Sequence, residues 1–144
     1  MKVISFEPKD SLPGIIFENE TGKFQIYGES FPEDAYEFFN PIFNWMDEYI
    51  ENPHETTILD FQLSYFNTVS AKNFLHIMTQ MEKLTSTGHN AKIRWFYNNG
   101  DEDMIEAGEE FESIVNVDFE MIQINNNIEE ESEEYFDELM DEIM

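Results

Sequence analysis

The chain of 144 residues contains no cysteine, which excludes disulfide bonds, thiolate metal sites and cysteine nucleophiles. Positive charge is scarce as well, since 7 Lys and Arg stand against 32 Asp and Glu for a formal net charge of −25. Such a surface repels a phosphate backbone and an anionic membrane, so we expect neither nucleic acid nor membrane as a partner. No apolar run is long enough to span a bilayer, and the first residues lack the apolar core of a signal peptide. We therefore expect a cytoplasmic protein.

Aromatic side chains, by contrast, are abundant, with 14 Phe, 6 Tyr and 2 Trp. They supply enough apolar area to build a core despite the high charge, and a chain of this length accommodates one such core. The sequence therefore predicts a single domain over residues 1–144. No Lys or Arg follows Arg94, so the last third of the chain is acidic throughout.

Hydrophobic periodicity predicts an α/β fold in the order β-β-α-β-α-β-α-β-α. Two strands, at 14–18 and 23–28, flank a turn that is typical of a hairpin. Further strands at 56–63, 91–97 and 117–124 are separated by helices, which requires crossover connections and hence a mixed, largely parallel sheet. We expect about five strands covered by four helices, the last of which is an acidic helix over residues 128–144.

Polar residues mark where the helices begin. Ser30 opens a capping-box pattern and predicts the start of the first helix, which Pro41 is expected to kink or restart. Asn67 or Thr68 is expected to cap the second helix, and Asp101 to begin the third.

Catalytic signals are weak. The three histidines, His54, His76 and His89, form no zinc-protease motif, and the sequence has no serine-hydrolase elbow and no glycine-rich phosphate loop. The acids at 101–103 resemble a calcium loop only superficially, because Gly100 precedes them instead of occupying the sixth loop position. We expect no catalytic residue, no metal and no cofactor, and an enzyme that uses His76 or the carboxylates is the weakest alternative.

The most informative stretch is 59–72, where an apolar strand gives way to Asn67, Thr68 and Ser70 at the start of a helix. One interpretation is an N-cap that satisfies the free amides of the first turn. The other is a phosphorylation site, since those amides and the positive end of the helix dipole tolerate a phosphate. A phosphate adds about −1.5 to −2 charge and would repel a partner that fits the neutral hydroxyl. Both interpretations can hold for the same residue.

Four stretches of the chain together resemble the SiaC family of bacterial regulatory phosphoproteins, over about residues 14–124. They read GESFPE at 28–33, YFNTVSAK at 65–72, WFY at 95–97 and DEDM at 101–104. The resemblance implies a fold similar to the STAS domains of anti-sigma-factor antagonists, and a switch protein without catalytic activity. Val69 stands where the family often has Ser.

By this resemblance Thr68 is the phosphorylated residue, and Tyr65, Asn67, Ser70 and Lys72 shape the switch turn and contact partners. The implied partners are a protein kinase with a histidine-kinase-like ATP-binding fold, a PP2C-type phosphatase and a diguanylate cyclase or other effector. The unphosphorylated form would bind and activate the cyclase, which raises cyclic-di-GMP and favours aggregation or biofilm.

Two other functions stay open on the sequence. The protein could be an anti-sigma-factor antagonist that sequesters an anti-sigma kinase, or an acidic decoy that occupies a basic nucleic-acid-binding surface. The helix expected at 128–144 has an apolar seam that could dock on the chain's own sheet, on a second copy or on another protein. Self-docking is favoured, because a domain of this size needs the burial.

Overall fold

The strands of the computed structural model lie side by side in chain order in one six-stranded sheet. The structure describes residues 1–125, and none of their helices is both long and apolar enough to cross a membrane. The elements are β1 (Ile4–Phe6), β2 (Gly14–Glu18), β3 (Lys23–Ser30), α1 (Ala35–Glu51), β4 (Thr56–Phe66), α2 (Thr68–Ser86), β5 (Asn90–Asn98), α3 (Glu102–Ile114) and β6 (Asp118–Ile124).

The sheet is mixed and largely parallel, which confirms the α/β prediction. β1, β2 and β3 pair antiparallel, whereas β3, β4, β5 and β6 pair parallel and are joined by the three helices. The described part of the chain has one strand more than expected, because the three residues of β1 are too few to show a period. The fourth helix, expected at 128–144, lies outside the described residues.

The core lies between one face of the sheet and the three helices. Phe24 of β3 packs against Tyr49 of α1 with ring centroids 4.9 Å apart, and Phe61 of β4 packs against Phe74 of α2 at 5.3 Å. Phe111 of α3 joins the same cluster of buried side chains. All three helices therefore cover the same face, as right-handed crossovers that step in one direction along a sheet require.

The start of α1 differs from the sequence prediction. Ser30 is not the cap, because β3 continues two residues beyond its expected end and pairs Ser30 with Phe66 of β4. Asp34 caps α1 instead, and its carboxylate accepts a hydrogen bond from the Glu37 amide at 3.0 Å. The restart expected at Pro41 is also wrong, since α1 runs from Ala35 to Glu51 as one helix with Pro41 inside it, and the kink expected there stays a prediction. Pro41 lies on its exposed side, where a missing amide donor is tolerated.

Candidate functional site

Thr68 lies at the carboxyl ends of the parallel strands. β3 and β4 finish side by side with Ser30 opposite Phe66, and the Asn67 amide then donates to the Ser30 carbonyl at 3.1 Å. Thr68 follows as the first residue of α2, and its side chain is exposed. The carboxyl ends of parallel strands are where α/β sheets usually place their binding sites.

A β-bulge decides which aromatic ring of β4 faces outward. The register of β3 and β4 shifts after Gly28, and Ser64 is the additional residue of β4. Without this bulge, the alternation that buries Leu63 would bury Tyr65 as well. Instead Phe66 packs on the core, and Tyr65 is 53% exposed beside the start of α2. The expected end of this strand at Leu63 was therefore three residues short.

Two buried serines fasten the start of α2 to β3. Asn67 is the N-cap, and its side-chain oxygen accepts a hydrogen bond from the Ser70 amide at 2.9 Å. The Ser70 hydroxyl lies 2.8 Å from the Ser30 carbonyl oxygen and 2.7 Å from the Ser30 hydroxyl, and both serines are fully buried. Thr68 therefore carries the exposed threonine hydroxyl of this turn, and Ser70 holds the turn in place.

The first turn of α2 differs from the other described helix starts in its charge. Among residues 1–125, α1 and α3 carry acids in their first turns, whereas α2 carries none. The amides of Thr68 and Val69 belong to the part of the helix that has no intrahelical acceptor, at the positive end of the dipole. Lys72 is exposed one turn further along, on the same side of the helix as Thr68. This start can therefore hold an anion in a protein that is otherwise strongly acidic.

Three exposed apolar side chains, Phe31, Tyr65 and Val69, adjoin this turn, and we call them the switch patch. Their exposed fractions are 39%, 53% and 46%, and the rings of Phe31 and Tyr65 meet edge to face at 5.7 Å. Exposed apolar groups that cluster on a surface are typical of a site that binds another protein.

The histidines make local contacts and do not assemble into a site. His54 bonds within its own loop, His76 stacks on Phe43 at 3.9 Å, and His89 bonds to Thr87 at 3.0 Å. Residues 1–125 contain no cluster of His, Asp and Glu that could hold a metal ion.

The acids at 101–103 belong to a helix start, as expected. The Asp101 carboxylate caps α3 by accepting from the Met104 amide at 3.2 Å.

Comparison with known proteins places these features in a family. Residues 6–124 match the model of the SiaC family of regulatory phosphoproteins. An uncharacterized protein of Pseudomonas aeruginosa (strain UCBPP-PA14) is 31% identical over 101 residues, which cover 70% of this chain and 80% of that protein.

Solved structures agree with this match. Apo-SiaC from Pseudomonas aeruginosa superposes with a TM-score of 0.78 at 26% identity, over 85% of this chain and 99% of that chain. A chain from the structure of the diguanylate cyclase SiaD in complex with its activator SiaC, from the same organism, gives a TM-score of 0.79 at 26% identity, over 84% and 99% of the two chains. The family match ends at residue 124, so residues 125–144 extend beyond it.

Proposed function

This chain belongs to the SiaC family of regulatory phosphoproteins, and from that membership we propose that it is a signalling protein controlled by phosphorylation of Thr68. With Thr68 unphosphorylated it binds and activates a diguanylate cyclase, and phosphorylation releases the cyclase. The observation that carries the proposal is the exposed Thr68 hydroxyl at an acid-free helix start beside the switch patch. The relative SiaC is the activator of a diguanylate cyclase in a solved complex, which favours a cyclase over an anti-sigma kinase as the effector.

A phosphate on Thr68 costs the folded protein little. It would meet the free amides of the first turn and the positive end of the dipole of α2, together with Lys72 one turn away. The fold therefore tolerates both states of the residue, as a reversible switch requires.

The same phosphate strongly opposes binding. A partner that covers Phe31, Tyr65 and Val69 would remove water from Thr68 as well, because these residues adjoin the same turn. Leaving a dianion in such an interface without a matched cation costs about 3 kcal/mol or more, which is a loss of at least about 100-fold in affinity.

We propose that a kinase with a histidine-kinase-like ATP-binding fold adds the phosphate and that a PP2C-type phosphatase removes it. The protein itself would have no catalytic activity, which the three histidines support because each contacts a different part of the fold.

The test uses the diguanylate cyclases of the source organism, assayed one at a time for binding and for cyclic-di-GMP formation from GTP. We expect that one of them is bound and activated by the wild type and by Thr68→Ala, and that Thr68→Glu has lost both effects. Thr79→Glu is the matched control, because Thr79 is an exposed threonine further along α2 and receives the same charge. Equal activation by Thr68→Glu and wild type would refute the switch.

The same binding assay, repeated at several salt concentrations, distinguishes this function from that of an acidic decoy. A decoy binds through net charge, so its affinity falls steeply with salt and ignores a single substitution at Thr68. Binding that moderate salt leaves intact and Thr68→Glu abolishes excludes that function.

A further inference from the structure

The face of the sheet opposite the three helices has buried side chains. They lie on four neighbouring strands, at positions that alternate with the core residues. They are Ile16, Gln25, Asp60, Gln62 and Phe96, and none of them is more than 7% exposed. Ile16 and Phe96 are buried and yet do not belong to the core cluster under the helices. We call this surface the helix-free face, with reference to the helices of residues 1–125.

Strand alternation fixes the direction of these side chains. Gln25 lies between Phe24 and Ile26, which are both in the core, so its side chain points to the other face. The same argument applies to Asp60 between Leu59 and Phe61, and to the other members of the set. Parallel sheets in known proteins are covered on both faces, and four of these six strands are parallel.

The helix-free face carries charges of both signs. Lys23, Lys92 and Arg94 point to it by the same alternation, which is three of the 7 basic residues of the chain. The acids that point to it in the same way are Glu18, Asp60, Asp118 and Glu120. The guanidinium of Arg94 makes two 2.6 Å hydrogen bonds to the Asp60 carboxylate, and its centre lies 5.6 Å from the Phe96 ring. Lys92 contacts Glu120 at 2.7 Å from a more exposed position at the rim.

The occupant that fits this face is the end of the chain itself. Residues 126–144 follow directly after β6, at the edge of the sheet, and carry nine acids and no Lys or Arg. Their apolar residues recur at helical spacing, at 128, 135, 136, 139, 140 and 143. As a helix, 19 residues are about 28 Å long, and six strands are about 24 Å across. The segment can therefore reach over the sheet from one edge to the other.

We propose that residues 126–144 pack across the helix-free face, with their apolar seam on Ile16 and Phe96 and with carboxylates near the half-buried Lys23 and Lys92. This segment lies beyond the family match, which ends at residue 124. It lies apart from Thr68, which begins a helix on the other side of the sheet, so the inference does not depend on the switch.

The absence of cysteine makes the test direct, since one introduced thiol is the only labelling site. The full chain with Ser132→Cys carries a nitroxide spin label, and paramagnetic broadening is read at isoleucine methyl signals. We expect several-fold stronger broadening at Ile16 and Ile58, which point to the helix-free face, than at Ile114 on the helix side. Equal broadening at the three methyl groups, or none, would overturn the proposal.

A mixed sample identifies the occupant. Spin-labelled protein without isotope label is mixed with isotope-labelled protein without spin label, so that only contacts between two copies cause broadening. The comparison sample carries the spin label and the isotope label on the same chain. If the mixture shows broadening as strong as that sample, a second copy covers the face and self-docking is overturned. We expect the mixture to show none.

Charge variants test whether basic residues of the helix-free face help to bind residues 126–144. Lys92→Glu reverses a rim charge of the helix-free face, and we expect a several-fold drop of the broadening at Ile58. Lys83→Glu is the matched control, because Lys83 is exposed on α2 at the helix side and takes the same charge change. The same result for both variants would contradict a role of the basic residues.

Discussion

Replacing Ser70 by Ala tests whether the start of α2 is held by a buried hydrogen-bond pair. The Ser70 hydroxyl bonds to the Ser30 carbonyl and contacts the Ser30 hydroxyl, and both side chains are fully buried. Without it the Ser30 carbonyl keeps the Asn67 amide as a donor, but the Ser30 hydroxyl loses its partner in a place that water does not reach. A buried polar group left without a partner costs about 1–3 kcal/mol, so we expect the free energy of unfolding to fall by about 2 kcal/mol.

A double-mutant cycle sharpens this prediction. Ser30→Ala alone leaves the Ser70 hydroxyl bonded to the Ser30 carbonyl and should cost about 1 kcal/mol. The double variant removes both hydroxyls, so no polar group is left unpaired. It should cost no more than Ser70→Ala alone, which is a coupling of about 1 kcal/mol.

Urea unfolding followed by circular dichroism measures these differences. The matched control is Ser113→Ala, because this serine also bonds to a backbone carbonyl but is exposed on α3. We expect its effect to stay within about 0.5 kcal/mol. If Ser70→Ala costs no more than Ser113→Ala, or if the two serines show no coupling, the reasoning about this turn is wrong.

Three further predictions concern the cap, the binding surface and the ion pair. Asn67→Ala should lower the free energy of unfolding in urea by about 1 kcal/mol through loss of the N-cap, and no loss would contradict that role. Tyr65→Ala should weaken cyclase binding by at least about ten-fold in calorimetry, because it removes an anchor of the interface. Ile114→Ala is the control at another exposed apolar residue, and equal affinities of the two variants would show that Tyr65 is not in the interface. Burial raises the pKa of Asp60 to about 6, more than Arg94 lowers it, so carbon-13 titration of this carboxyl should give a midpoint near that value instead of near 4.

The raised pKa of Asp60 also fixes the sign of its effect on stability. The folded state binds this proton more tightly than the unfolded chain does, so the contribution of Asp60 to stability falls as the pH rises from about 4 to about 6. The unfolding free energy of wild type relative to Asp60→Asn, measured in urea across that range, should therefore decrease with pH. A difference that increases would mean that Arg94 outweighs the loss of hydration.

The hydrophobic pattern of each segment was sufficient to predict most strands of the sheet and their largely parallel order. The hydrophobic periods of β2, β4, β5 and β6 and of the three described helices are strong enough to be read without tertiary information. β1 was not predicted, because a strand of three residues has no measurable period. The spacing of Ser30 to Glu33 fits a capping box, but pairing with Phe66 of β4 keeps Ser30 in β3.

The geometry around Thr68 depended on contacts that sequence spacing does not reveal. Tyr65 turns outward because of the bulge at Ser64, and the sequence signal for this bulge was Gly28, a glycine within a strand that takes a positive φ of 92° in the structure. The Asp60–Arg94 pair joins residues 34 apart, and only the register of β4 and β5 brings them together. That Thr68 is the phosphorylated residue, with Tyr65, Asn67, Ser70 and Lys72 around it, stays a prediction.

The central claim is that a phosphate on Thr68 controls docking of the effector. Its most direct test is the dissociation constant of the cyclase complex, measured for protein with phosphothreonine at position 68 and for the unphosphorylated protein. We expect the phosphorylated form to bind at least about 100-fold more weakly, with its circular dichroism spectrum unchanged. Equal affinity of the two forms would contradict the account.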